Sequence, residues 1–171
     1  MQFQTKDKAL RILENEHRYL TYLMDEWHEI ILNFEHDIYD ETTGREAFQT
    51  LRKQLIAFID PLKNHTEKEE NYFFPLLGQY IGIEQGPILS IEEEHAEIDA
   101  YIGHFLHHTR MSLDTLSLAD MKALVKDAGE AFEVLTVHFV KEESVLFPMA
   151  ERMMRETDKE KLLEQVNTLI I

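Results

Sequence analysis

Cysteine is missing altogether from the 171 residues. That excludes a disulfide framework, thiolate zinc sites, Cys-ligated iron–sulfur clusters and a cysteine nucleophile. Any metal here must be held by nitrogen and oxygen. Glycine (6) and proline (4) are scarce, so the chain has few places to turn, which favours long helices over many short strands. Basic residues are in deficit, 17 against 33 acidic ones for a formal charge of −16. Such a field repels phosphate, so neither nucleic acid nor an anionic membrane surface is expected as a partner. No apolar run approaches the ~18 residues of a membrane span. The start, MQFQTKDKALRILENEH, lacks the basic-then-apolar order of a secretory signal, and a cytoplasmic location is expected.

What is present is a helical period. Hydrophobic residues make up 44% of the chain, enough for one domain with a real core, and residues 1–171 are read as a single domain. Residues 5–34 carry Leu10, Leu13, Leu20, Met24, Trp27, Ile31 and Phe34 at 3.6-residue spacing, an amphipathic helix. Thr43 with Glu46 has capping-box spacing for a second helix reaching Pro75. Pro61 inside it predicts a kink or a restart at Asp60. The stretch LGQYIGIEQGP holds three of the six glycines and reads as the mid-chain connection. A third helix starts at Ser90 or Pro87 and runs to about Met111. Ser117 with Asp120 opens a fourth, and Thr157 with Glu160 a short fifth that carries Leu162, Leu163, Val166, Leu169 and Ile170. The expected fold is all-α: an antiparallel up-down four-helix bundle over about residues 5–155, made of duplicated helix pairs, with a C-terminal helix at about 157–170. The apolar stripe of that last helix folds back on its own bundle, or offers a homodimer or protein-partner contact.

The duplication is visible in two eleven-residue stretches. Residues 65–75 read HTEKEENYFFP and residues 138–148 read HFVKEESVLFP. Upstream, ILENEHRYLTYLMDEWH (12–28) lies over SIEEEHAEIDAYIGHFL (90–106), so that Glu14, Glu16 and His17 coincide with Glu92, Glu94 and His95. In a helical hairpin the start of one helix lies level with the end of the next. His17 is therefore level with His65 and Glu69, and His95 with His138 and Glu142. Residues i and i+4 differ by only about 40° around a helix, so the His and first Glu of each HxxxE share a face. Glu70 and Glu143, at i+5, are rotated by roughly 140° and are expected to face outward or sideways.

Four imidazoles and two carboxylates converging on one place are too polar to leave unpaired in a core. A metal pair resolves this, each ion taking two His while Glu69 and Glu142 bridge. Imidazole plus carboxylate suits iron, manganese or zinc, and a paired site on four helices favours iron.

H17…H65xxxE69…H95…H138xxxE142 resembles the hemerythrin-like, or HHE cation-binding, family over about residues 10–155. The resemblance implies a non-haem di-iron centre, oxo- or hydroxo-bridged, bound by His17, His65, Glu69, His95, His138 and Glu142. One turn after His95, where oxygen-carrying members have a second His, this chain has Asp99; the pattern is more similar to stress-related members. The implied role is binding or sensing a small oxidant or diatomic (O2, NO or peroxide) in stress defence or iron handling, rather than turnover of an organic substrate.

Two other readings use the same residues. Glu14-x-x-His17 and Glu92-x-x-His95 have the i, i+3 spacing of ferritin-like di-iron sites, which would lean towards ferroxidase chemistry. A partner-binding helical module with a structural metal is the other. Tyr19, Tyr22 and Tyr101 lie within two turns of the helix ligands, while His28, His36, His104, His107 and His108 have no counterpart across the repeat and read as surface residues.

Overall fold

A computed structural model describes residues 2–171. Helix α1 (Lys8–Glu35) begins where the Asp7 carboxylate accepts from the Ala9 and Leu10 amides, satisfying donors that the first turn leaves without partners. Helix α2 (Glu41–Lys68) opens on a capping box three residues earlier than the sequence spacing implies: Asp40 accepts from the Thr43 amide, and the Thr43 hydroxyl accepts from the Asp40 backbone N–H. Asp outranks Thr as a cap because its charge also answers the helix dipole. The helix passes Pro61 without a restart.

The irregularity lies about two turns later. Residues Glu69–Phe73 form a π turn, and the same rod resumes as α3 (Phe74–Ile81). The connection is therefore shorter than LGQYIGIEQGP, because its first five residues, 77–81, are helical. Gly82 and Gly86, at φ 82° and 89°, take backbone conformations that a side chain would strain. Helix α4 (Pro87–His108) starts on Pro87, and α5 (Leu118–Lys141) on the Ser117–Asp120 box. A second π turn, Glu142–Leu146, leads into α6 (Phe147–Met153). Helix α7 (Glu156–Val166) follows with Arg155 rather than Thr157 at its cap position.

Four rods thus form the bundle: α1, α2 with α3, α4, and α5 with α6. Helix α1 packs on α2 and α5, and α4 on α5. No strand is present among the described residues. The core falls into two clusters. The larger holds Trp27, Phe34, Phe48, Phe58, Phe105 and Leu135, and the smaller holds Phe73, Phe74, Leu146, Phe147, Leu10 and Leu13. Helix α7 folds back on α1, burying Leu162 and Val166 in the smaller cluster. Ile170 reaches the larger one, while Leu169 points away at 85% exposure. The polar centre described next belongs to neither cluster.

Candidate metal centre

His17 on α1, His65 at the end of α2, His95 on α4 and His138 at the end of α5 are buried, and Glu69 and Glu142 are fully so at 0% exposure. Their side chains form two four-residue groups, each with one ligand-type atom per residue within 4.8 Å of the others: His17, His65, Glu69 and Glu142, and Glu69, His95, His138 and Glu142. The two carboxylates belong to both groups. His17 Nε2 lies 2.8 Å from Glu142 Oε2 and 4.0 Å from Glu69 Oε1, and His65 Nε2 is in close contact with the same Glu69 oxygen. On the other side, His138 Nε2 is 3.0 Å from Glu142 Oε1, and His95 Nε2 is 3.6 Å from Glu69 Oε2. Each carboxylate gives one oxygen to each half.

Several of these atoms approach without bonding. His17 Nε2, His65 Nε2 and all four oxygens of Glu69 and Glu142 are buried with no hydrogen-bond partner. Orphaned groups of this kind are rare and costly in a native core. Lone pairs that converge on shared points, rather than on each other's hydrogens, fit divalent cations with nitrogen and oxygen ligands.

The electrostatics agree. Burial and repulsion from Glu142 push Glu69 well above the usual carboxylate range. Burial also opposes ionisation of Glu142, but the charge of the neighbouring His138 and the close approach of Glu69 and His17 hold it well below. By itself the protein thus favours one negative charge at the centre over two. A cation between the carboxylates relieves that conflict.

Around the centre, each imidazole turns its other nitrogen towards a second carboxylate. His95 Nδ1 is 2.9 Å from Glu70 Oε1 and His138 Nδ1 is 3.0 Å from Glu94 Oε2. His17 Nδ1 is 3.3 Å from Glu143 Oε1 and His65 Nδ1 is 3.7 Å from Glu16 Oε2. At His17, His95 and His138 the carboxylate accepts the Nδ1 proton, orients the ring and leaves Nε2 with its lone pair facing inward, whereas the His65 Nδ1 lies too far from Glu16 to bond to it. Glu70 and Glu143 are the residues whose role the helix period misses. Within a π turn the backbone no longer advances 100° per residue, so the i+5 carboxylate swings towards the His of a neighbouring helix.

The remaining candidates lie elsewhere. Glu14 is buried, but it accepts from the Gln4 and Thr5 amides and the Thr5 hydroxyl, which moors the N-terminal segment; it belongs to neither group. Tyr19 and Tyr22 are 41% and 63% exposed, and Tyr101 packs against the larger core cluster. His104 pairs with Asp127 at the surface, and His28 stacks on Phe132.

No helix among the described residues is long and apolar enough to cross a membrane. The iron-sulfur cluster repair protein YtfE of Salmonella typhimurium is 32% identical over 102 residues, which is 58% of this chain and 46% of that protein. The YtfE proteins of Salmonella newport and Salmonella agona match to the same extent, so the aligned stretch spans under half the length of these curated relatives. No solved structure matched the chain. The hemerythrin HHE cation binding domain matches residues 8–150. With that stretch taking in both π turns and all six converging side chains, the chain belongs to the hemerythrin HHE cation-binding domain family.

Proposed function

We propose that this chain is a non-haem di-iron protein that binds or senses a small oxidant or diatomic (O2, NO or peroxide), with His17, His65, Glu69, His95, His138 and Glu142 as ligands. The observation that carries the reading is the sharing of Glu69 and Glu142 between two His pairs, with their four oxygens buried and unbonded. One shared carboxylate oxygen per half is what a bridged pair of ions requires. Iron is favoured over zinc or manganese by the paired nitrogen and oxygen ligands on four helices.

Two iron ions would supply a redox couple and an open coordination position for the small ligand. The protein's part is to hold the His17, His95 and His138 imidazoles in one tautomer through Glu143, Glu70 and Glu94, and to keep water scarce. Phe139 stacks on the His17 ring at 4.3 Å and Phe74 on His95 at 5.9 Å, so bulk solvent does not reach either ring face. A role in oxidative or nitrosative stress follows from the same reading and from the repair function named for the Salmonella relatives. The centre contains no nucleophile or acid–base set apart from these ligands, which places an organic substrate outside the proposal.

Metal analysis of the aerobic protein, with optical spectra taken with and without azide, tests this. Two irons per chain with near-ultraviolet bands that shift on azide addition are expected. One zinc per chain, or full metal retention in both His65→Ala and His138→Ala, would overturn the reading.

A further inference from the structure

Two grooves lead towards the centre from opposite sides. One, between α1 and α5, is lined by Thr21, Tyr22, Thr136, Phe139 and Glu143 and touches His17. It ends there, because Phe139 lies flat on that ring and Glu143 faces its outer nitrogen. The other, about 390 Å³ between α2 and α4, runs past Ile59, Lys63, Glu67, Glu70 and Gly103. Leu62, Thr66 and Asp99 line this groove and also a small inner cavity of about 10 Å³. That inner cavity is bounded by His65, His95 and His138, three of the four imidazoles. A volume near 10 Å³ accommodates roughly one water-sized molecule.

We propose that the seam between α2 and α4 is the access route to the centre, and that it admits neutral, water-sized molecules in preference to anions. The proposal rests on the ligand-binding role given above and deepens it. Size is set by the inner cavity and by the Thr66 side chain at its neck. Charge is set by Glu67, Glu70 and Asp99 along the route, opposed by Lys63 alone among the charged residues lining it. An anion therefore passes a net negative wall before it meets the imidazoles, whereas O2 or NO does not feel it. Gly103 keeps the mouth wide, since a Cβ built there meets nothing within 4 Å.

Stopped-flow association of nitric oxide and of azide with the iron-loaded protein tests the route. Thr66→Leu and Gly103→Leu are expected to slow both ligands on the order of tenfold with iron content unchanged. Thr21→Leu, in the opposite groove, leaves both rates as they were. Asp99→Asn is expected to speed azide association about tenfold and leave nitric oxide unaffected. A metal-free measurement stands beside these: dissolved O2 under pressure is expected to broaden the methyl NMR signals of Ile98 and Leu135, which line the inner cavity, and Thr66→Leu to abolish the broadening. Parent-like rates in both Thr66→Leu and Gly103→Leu, slowing by Thr21→Leu, or unbroadened methyls would overturn the route while the di-iron reading stands. A parent protein that loads iron but takes up neither ligand would overturn both.

Discussion

Lys68 Nζ lies 2.8 Å from Glu16 Oε1, with both residues buried at 5% and 6% exposure, and the other Glu16 oxygen faces His65 Nδ1. The Thr168 carbonyl accepts a further hydrogen bond from the same ammonium. The repeat supplies a second such chain, Lys141 to Glu94 to His138, but there the lysine side chain is 46% exposed. One sequence pattern thus sits once under the C-terminal segment and once at the surface.

The two lysines should differ sharply on mutation. Removing one partner of a buried pair strands the other charge, so Lys68→Ala is expected to destabilise the fold by about 3 kcal/mol. Lys141→Ala, where solvent screens the pair, should cost under about 1 kcal/mol. Urea denaturation of both variants beside the parent measures this; equal losses would contradict the asymmetry.

Glu69→Gln is expected to separate stability from metal binding. In the metal-free protein it removes the repulsion that pushes Glu69 up and should raise stability on the order of 1 kcal/mol. The same change removes a bridging oxygen and should cut metal uptake below one ion per chain. Thermal denaturation of the metal-free form, with metal analysis of the loaded form, reads the two effects separately.

Glu14→Ala and Glu92→Ala distinguish the hemerythrin-like ligand set from the ferritin-like one. Glu14 is spent on the Gln4 and Thr5 amides, so its loss should free the N-terminal segment and leave the metal count at the parent value. His17→Ala should lose metal. Loss of metal in both Glu variants, measured by the same analysis, would favour the i, i+3 register instead.

The helix caps make stability fall in acid. Hydrogen bonds from Thr43 hold the Asp40 carboxyl below its ordinary value, and those from Ser117 do the same for Asp120. A depressed folded value stabilises the protein above the unfolded value of about 3.9. That contribution disappears as pH drops through the depressed value. Asp40→Asn and Asp120→Asn should each flatten the decline of the urea midpoint between about pH 5 and pH 2.

Much of the bundle could be read from the residues. The 3.6-residue period found the long helices, and internal duplication paired His17 with His95 and HxxxE69 with HxxxE142. The six side chains meet where hairpin geometry puts them. Glu70 and Glu143 face sideways, within the expected range, but their contacts with His95 and His17 escape a reading that carries one uniform helical angle through a segment whose backbone changes winding. The cap of α2 moved from Thr43 to Asp40 because the Asp40 carboxylate accepts from the Thr43 amide and so draws Thr43 itself into the first turn. LGQYI proved helical because Gly78 is tolerated there, the break waiting for the positive φ of Gly82. The buried Lys68 was not legible at all, since its cover comes from Thr168, a hundred residues away.

The two π turns start at a shared carboxylate and are followed directly by Phe-Pro in both halves, Glu69–Phe73 before Phe74-Pro75 and Glu142–Leu146 before Phe147-Pro148. A π turn amounts to one residue more than an α-helix needs to cover the same arc. An identical surplus at the same place in both halves is most simply a single insertion made before the halves were copied. By that ordering the ancestral helix pair already carried the distortion, and two such pairs could have built the same centre by associating as separate chains.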